Sequence, residues 1–133
     1  MSLAVIDASV LTAFYGADDP RYDAVVARLR AGDALFAPAH IDAEVVSALR
    51  RLARGRPAIE SAVPAALHHL AGLPLRRAPL APLLPRMWEL REDLTAYDAA
   101  YAALAERRNG TLVTADRKLA SAGGPRCVID VIG

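Results

Sequence analysis

Short, continuously apolar runs alternate along the chain with longer stretches whose apolar residues recur every three or four positions. Gly, Pro or Asp marks most of the changes of period. Residues 3–6 are branched and apolar and end at Asp7, the pattern of a strand buried on both faces of a parallel sheet. Ser9 can cap a helix over 10–15, and the loop 16–20 separates it from a second helix over about 21–30, where Tyr22, Val25, Val26 and Leu29 share a face. Residues 34–37 predict a second strand. Pro38 then turns the chain into a helix over about 41–54, with Val45, Leu49 and Leu52 on one side, and Gly55 and Pro57 stop it.

A further helix is expected over 58–70 and a strand over 73–78. The Pro-interrupted segment 79–92 offers Leu83, Leu84, Met87, Trp88 and Leu90 as core. Residues 94–108 predict a helix ended by Asn109 and Gly110, followed by a strand over 111–114 and a short helix from Asp116. A turn at Gly123–Pro125 leads to a last strand over 127–132. No internal repeat or low-complexity tract interrupts this order. Strands alternating with helices give an α/β fold with a mainly parallel sheet and right-handed crossovers.

At 133 residues, the chain is expected to form a single domain, 1–133, with one core. Its 54% apolar content with a net charge of only +1 excludes a disordered chain. Cys127 is the only cysteine, which excludes an internal disulfide and a thiolate zinc cluster. It is read as core packing. The first residues show no basic, signal-like region, and no apolar run nears the ~18 residues that span a bilayer, so no membrane association and a cytoplasmic location are expected. The near-neutral balance gives no global basic field for nucleic acid, so charge has to be read locally.

Ligands of open parallel sheets bind beyond the carboxyl ends of the strands. Asp7 follows the first predicted strand and Asp116 follows the strand at 111–114; Glu44 and Asp98 lie in the first turns of predicted helices. All four can face one rim, where carboxylates would repel one another unless a hard, oxygen-seeking cation such as Mg²⁺ or Mn²⁺ joined them. Each also has a structural alternative. Asp7 and Asp116 can cap helices, Thr95 and Asp98 fit a capping box, and Glu44 suits a helix N-terminus. Ser9 and Thr114 are candidate supporting hydroxyls, or simple caps.

His40, His68 and His69 lack metal-pair spacing and are assigned to surface or core. Arginines at 50, 51, 54 and 56, at 76 and 77, and at 107 and 108 read mainly as solvated faces. Arg117 and Lys118 directly follow Asp116 and are candidate phosphate contacts.

Four stretches, Val5-Ile-Asp7-Ala-Ser9, Pro38-Ala-His-Ile-Asp-Ala-Glu44-Val, Leu94-Thr-Ala-Tyr-Asp98-Ala-Ala-Tyr101-Ala-Ala-Leu104-Ala and Leu112-Val-Thr114-Ala-Asp116-Arg-Lys-Leu119, resemble the PIN-domain ribonucleases in order and spacing. The likeness is closest to the VapC toxins of toxin–antitoxin systems. It leaves out about 55–93, which carries nothing diagnostic. The resemblance implies a three-layer α/β/α fold around a mainly parallel sheet. It also implies a metal-dependent endoribonuclease using Mg²⁺ or Mn²⁺, with Asp7, Glu44, Asp98 and Asp116 as the acidic metal site and Ser9 and Thr114 in support. The implied products carry 5′-phosphate and 3′-hydroxyl ends, and the implied partners are an RNA substrate, a VapB-type antitoxin and a second copy of the chain.

An aspartyl-phosphate phosphatase would need an acid where Ser9 stands, and a receiver-like domain would need adjacent acids near the start. Two alternatives remain: a structure-selective DNA nuclease, and a non-catalytic binding module in which the acids are only caps.

Overall fold

Ala4, Val5 and Ile6 lose nearly all contact with solvent in strand β1 (Leu3–Ile6), the middle strand of a five-stranded sheet. A run without polar side chains suits that place, because parallel strands covered on both faces have no wet side. The computed structural model describes residues 2–16 and 18–133. Met1, and Ala17 of the loop expected over 16–20, lie outside the described residues.

From β1 the chain passes through helices α1 (Ala8–Tyr15) and α2 (Tyr22–Leu29) to strand β2 (Ala34–Pro38). Helices α3 (Ile41–Ala53) and α4 (Pro57–Ala71) then lead to β3 (Leu75–Ala78). A 3₁₀ turn (Ala81–Leu83) and helices α5 (Leu84–Glu89) and α6 (Ala96–Arg108) return it to β4 (Thr111–Thr114). Helix α7 (Arg117–Ser121) precedes β5 (Ile129–Val131).

The sheet order is β3-β2-β1-β4-β5, with every pairing parallel. Val5 lies opposite Phe36 on one side and Leu112 on the other. Right-handed crossovers running first from β1 to β3 and then back to β4 put their helices on opposite faces. Accordingly α1 and α3 pack together, as do α3 and α4, while α5 packs on α6 and α6 lies along β1, β2 and β4. The expected α/β architecture is what forms. Among the described residues no helix is long and apolar enough to cross a membrane.

Helix α6 is the most deeply buried. Residues 99–105 are all covered, and five of those seven are Ala, which lets the helix approach the sheet closely. It ends at Asn109, whose φ of 53° is left-handed, and the next residue has no room for a side chain: a Cβ on Gly110 would lie 2.9 Å from the Leu3 carbonyl oxygen.

Three expectations fail. Leu84 and Trp88 are exposed at 53% and 67%, whereas Leu83 and Leu90 are buried. The last strand is only Ile129–Val131, so half-buried Cys127 packs against the core from outside it. Arg77 is not a solvated side chain: its guanidinium donates to both Asp42 carboxylate oxygens and to the carbonyls of Leu70, Leu73 and Leu75.

Candidate metal centre

The chain reverses its direction of travel across the sheet between β1 and β4, and the C-terminal ends of these two strands open a crevice. Asp7 stands there, 4% exposed, directly after β1. Its extended backbone makes it the N-cap of α1, so the cap is Asp7 and not Ser9. One carboxylate oxygen, Oδ1, accepts from the backbone N–H groups of Ser9 at 3.0 Å and Val10 at 3.3 Å, and from the Ser9 hydroxyl. The other, Oδ2, accepts from the Thr114 hydroxyl at 2.6 Å. Cap and site are therefore the same side chain.

The two hydroxyls stitch the strand ends together. Ser9 Oγ accepts from the Ala115 N–H at 2.9 Å, and Thr114 Oγ1 accepts from the Asp116 N–H at 2.9 Å. Asp116 in turn caps α7, accepting from the Lys118 N–H at 2.9 Å. Asp98 enters on the first turn of α6, positioned by Thr95, whose hydroxyl accepts from the Asp98 N–H at 3.2 Å.

Glu44 enters on the first turn of α3, and its Oε1 accepts from the Tyr101 hydroxyl at 2.8 Å. His40 Nε2 lies 2.7 Å from the same oxygen without the alignment of a hydrogen bond, and both ring nitrogens of His40 are buried without a hydrogen-bond partner. Asp7, Glu44, Asp98 and Asp116 line one cavity of about 290 Å³.

The PIN domain family matches residues 4–125. The chain belongs to the PIN-domain family, in its VapC branch. It is 42% identical to ribonuclease VapC3 of Mycobacterium tuberculosis over 118 residues, 89% of this chain and 85% of the relative. The crystal structure of PAE2754 from Pyrobaculum aerophilum superposes with a TM-score of 0.68 at 30% identity, over 98% of this chain and 84% of that one. The fold alone is shared with VapBC2 from Rickettsia felis bound to a DNA fragment from their promoter, at a TM-score of 0.68 and 15% identity, over 98% and 99% of the two chains.

Electrostatics sharpen the picture of this PIN domain. Burial pushes the Asp7 carboxyl up to about 6; the hydroxyls of Ser9 and Thr114 and the Val10 N–H pull it back, and the charge of Asp98 adds to the rise. Asp98 is also raised, first by burial and then by the negative charges of Glu44 and Asp116. Burial and the charge of Glu44 likewise hold the Tyr101 hydroxyl firmly protonated, as the donor that Glu44 needs. Two arginines, Arg21 and Arg51, stand at the pocket wall, and among the described residues neither pairs with any of the four acids. Arg21 is committed, bound to Asp19 at 3.0 Å and to the Ala115 carbonyl at 3.0 Å.

Among the described residues, no three His, Cys, Asp or Glu side chains converge closely enough to form a ready-made metal cage. Carboxylate oxygens are nevertheless the donors a hard cation takes, and Mg²⁺ commonly binds through one or two of them while keeping several waters. An acidic cavity whose four carboxylates pair with no arginine or lysine among the described residues fits such an ion.

Four residues at the site escaped the sequence: His40, Tyr101, Arg21 and Arg51. Two carried a usable signal. Tyr101 lies three residues after Asp98 and His40 four before Glu44, spacings that place each on its acid's helical face. Arg117 and Lys118 are exposed beside Asp116, with the Arg117 guanidinium donating to the Gly133 carbonyl at 3.2 Å. His69 lies elsewhere, its Nδ1 2.7 Å from the Tyr15 hydroxyl oxygen.

Proposed function

We propose that this PIN domain is the toxin of a toxin–antitoxin pair, an endoribonuclease whose Asp7, Asp98, Glu44 and Asp116 hold Mg²⁺ or Mn²⁺. The observation that carries this reading is the shared cavity of four carboxylates in which Asp7 and Asp98 are both pushed up and, among the described residues, no arginine or lysine pairs with any of the four. A bound divalent ion lowers the pKa of its water and neutralises charge developing on phosphate oxygens. Asp7, held by four donors, has little freedom to move and fixes the position of the site. Asp98 and Asp116 add negative charge from the α6 and α7 sides. Glu44 is oriented by Tyr101.

No side chain is required as nucleophile. Water attack in line leaves a 5′-phosphate and a 3′-hydroxyl, which separates this chemistry from ribonucleases that use the 2′-hydroxyl. Arg117 and Lys118 are proposed to meet the phosphate backbone beside Asp116. Family membership supports a VapB-type antitoxin and a second copy of the chain as partners. The test is a digest of cellular RNA by wild type and Asp98→Asn in Mg²⁺, Mn²⁺ or chelator. Discrete 5′-phosphate fragments, lost in chelator and in the variant, are expected; cleavage that survives chelation would sink the reading.

A further inference from the structure

Tyr97 is 63% exposed although it belongs to the helix whose following residues are the most buried in the protein. It precedes Asp98, and its ring lies 5.8 Å from that of His40, which in turn lies 5.0 Å from the ring of Tyr101. The largely covered imidazole, 13% exposed, thus flanks an aromatic ring that is otherwise open to solvent. Tyr97 lines a second cavity of about 400 Å³ with Ala43, Ser47, Glu44 and Arg51. Glu44 and Arg51 also line the carboxylate cavity, so the two spaces share a wall.

Arg51 differs from Arg21, which shares the carboxylate cavity, and from Arg77. Arg21 is tied to Asp19 and Arg77 to Asp42, whereas Arg51 donates only to the Ser47 hydroxyl, at 3.1 Å, and has no ion pair among the described residues. An uncommitted guanidinium beside an open aromatic ring suits a nucleotide: the ring stacks on a base and the guanidinium takes a phosphate in two parallel hydrogen bonds. Trp88 is also exposed, but Arg91 lies 4.4 Å over its ring and fills one face.

We propose that the Tyr97 cavity is a nucleotide subsite for single-stranded RNA next to the cleaved bond, with one base stacked on Tyr97 and the adjoining phosphate held by Arg51. This rests on the nuclease reading for its placement next to the chemistry. Only unstacked bases can use such a ring, which selects loops and single strands over duplex.

The test uses short single-stranded RNAs carrying 2-aminopurine at successive positions, bound in Ca²⁺ to wild type, Tyr97→Ala, Tyr97→Phe, Arg51→Ala and Trp88→Ala. One position is expected to be quenched by wild type and by Tyr97→Phe. Tyr97→Ala should abolish that quench and weaken binding roughly five- to a hundredfold. Arg51→Ala should flatten the salt dependence by about 0.7 in the log–log slope, the release expected for one phosphate contact on a single strand. Trp88→Ala should match wild type. Quench and affinity unchanged in Tyr97→Ala, or no quenched position in wild type, would overturn the subsite. Cleavage of the same RNAs in Mg²⁺ and Mn²⁺ keeps the two readings apart. Quench without any cleavage supports the subsite and removes the nuclease, while cleavage with no Tyr97-dependent quench removes the subsite alone.

Discussion

Thr114 binds Asp7 across the gap between β4 and β1, its hydroxyl donating to Oδ2 at 2.6 Å while its oxygen accepts from the Asp116 N–H at 2.9 Å. One hydroxyl therefore positions two of the four acids. Thr114→Val keeps the shape and strands both partners. A loss of about 1–3 kcal/mol in folding free energy is expected for the unsatisfied groups, with Thr114→Ser restoring most of it. Urea unfolding of the three proteins checks this.

Asp7 should make the metal-free protein more stable in acid. Its folded value of about 6 lies above the ordinary 3.8, so the folded state takes up the proton first and stability rises as pH falls from 7 towards 4. Asp7→Asn removes the buried charge while keeping an acceptor for Ser9 and Val10. It should unfold later than wild type at pH 7, by up to about 3 kcal/mol, with the advantage gone near pH 4. Denaturant titrations at the two pH values decide it; an equal difference at both would show that Asp7 is not the cause.

Divalent cation should offset most of that difference in wild type. An ion that binds only the folded state adds about 2.7 kcal/mol at a hundred times its Kd. Thermal melts with Mn²⁺ should rise for wild type and hardly move for Asp98→Asn. Equal shifts in both proteins would place the ion elsewhere.

Arg77 should matter far more to stability than its half-exposed partner Asp42. Arg77→Met strips hydrogen bonds from three carbonyls, those of Leu70 at the end of α4, Leu73 in the turn and Leu75 at the start of β3, and should cost about 2–3 kcal/mol. Asp42→Asn keeps an acceptor for Arg77 at a side chain 44% exposed and should cost less than about 1 kcal/mol. Chemical unfolding of the two variants provides the comparison.

The strand and helix order was readable because the central strands β1 and β2 are apolar without interruption and helices α1, α4 and α6 end at Gly or Asn. The segment 79–92 misled because periodicity gives the spacing of a helix but not which stripe faces inward. Leu83, Met87 and Leu90 form the inner stripe; Leu84 and Trp88 repeat at the same spacing one position on and face outward. At the site, the four acids were legible as residues that follow strands or open helices. Ser9 was misplaced as a cap because the extended backbone carries Asp7 to the capping position first. His40 has no metal-pair spacing to mark it in the sequence; its place is beside Glu44, against two tyrosine rings.

The partners that fix the crevice are distant in sequence: Asp7 and Thr114 are 107 residues apart. Strands β1 and β4, neighbours in the sheet, are thus the first and the fourth in chain order. A growing chain already holds Asp7, Glu44 and Asp98 when α6 emerges, but it has no β4 to close the gap beside β1 and no Thr114 to hold Asp7. The cleft is completed only when β4 pairs with β1, so the grip on Asp7 has to wait for a residue made 107 positions later.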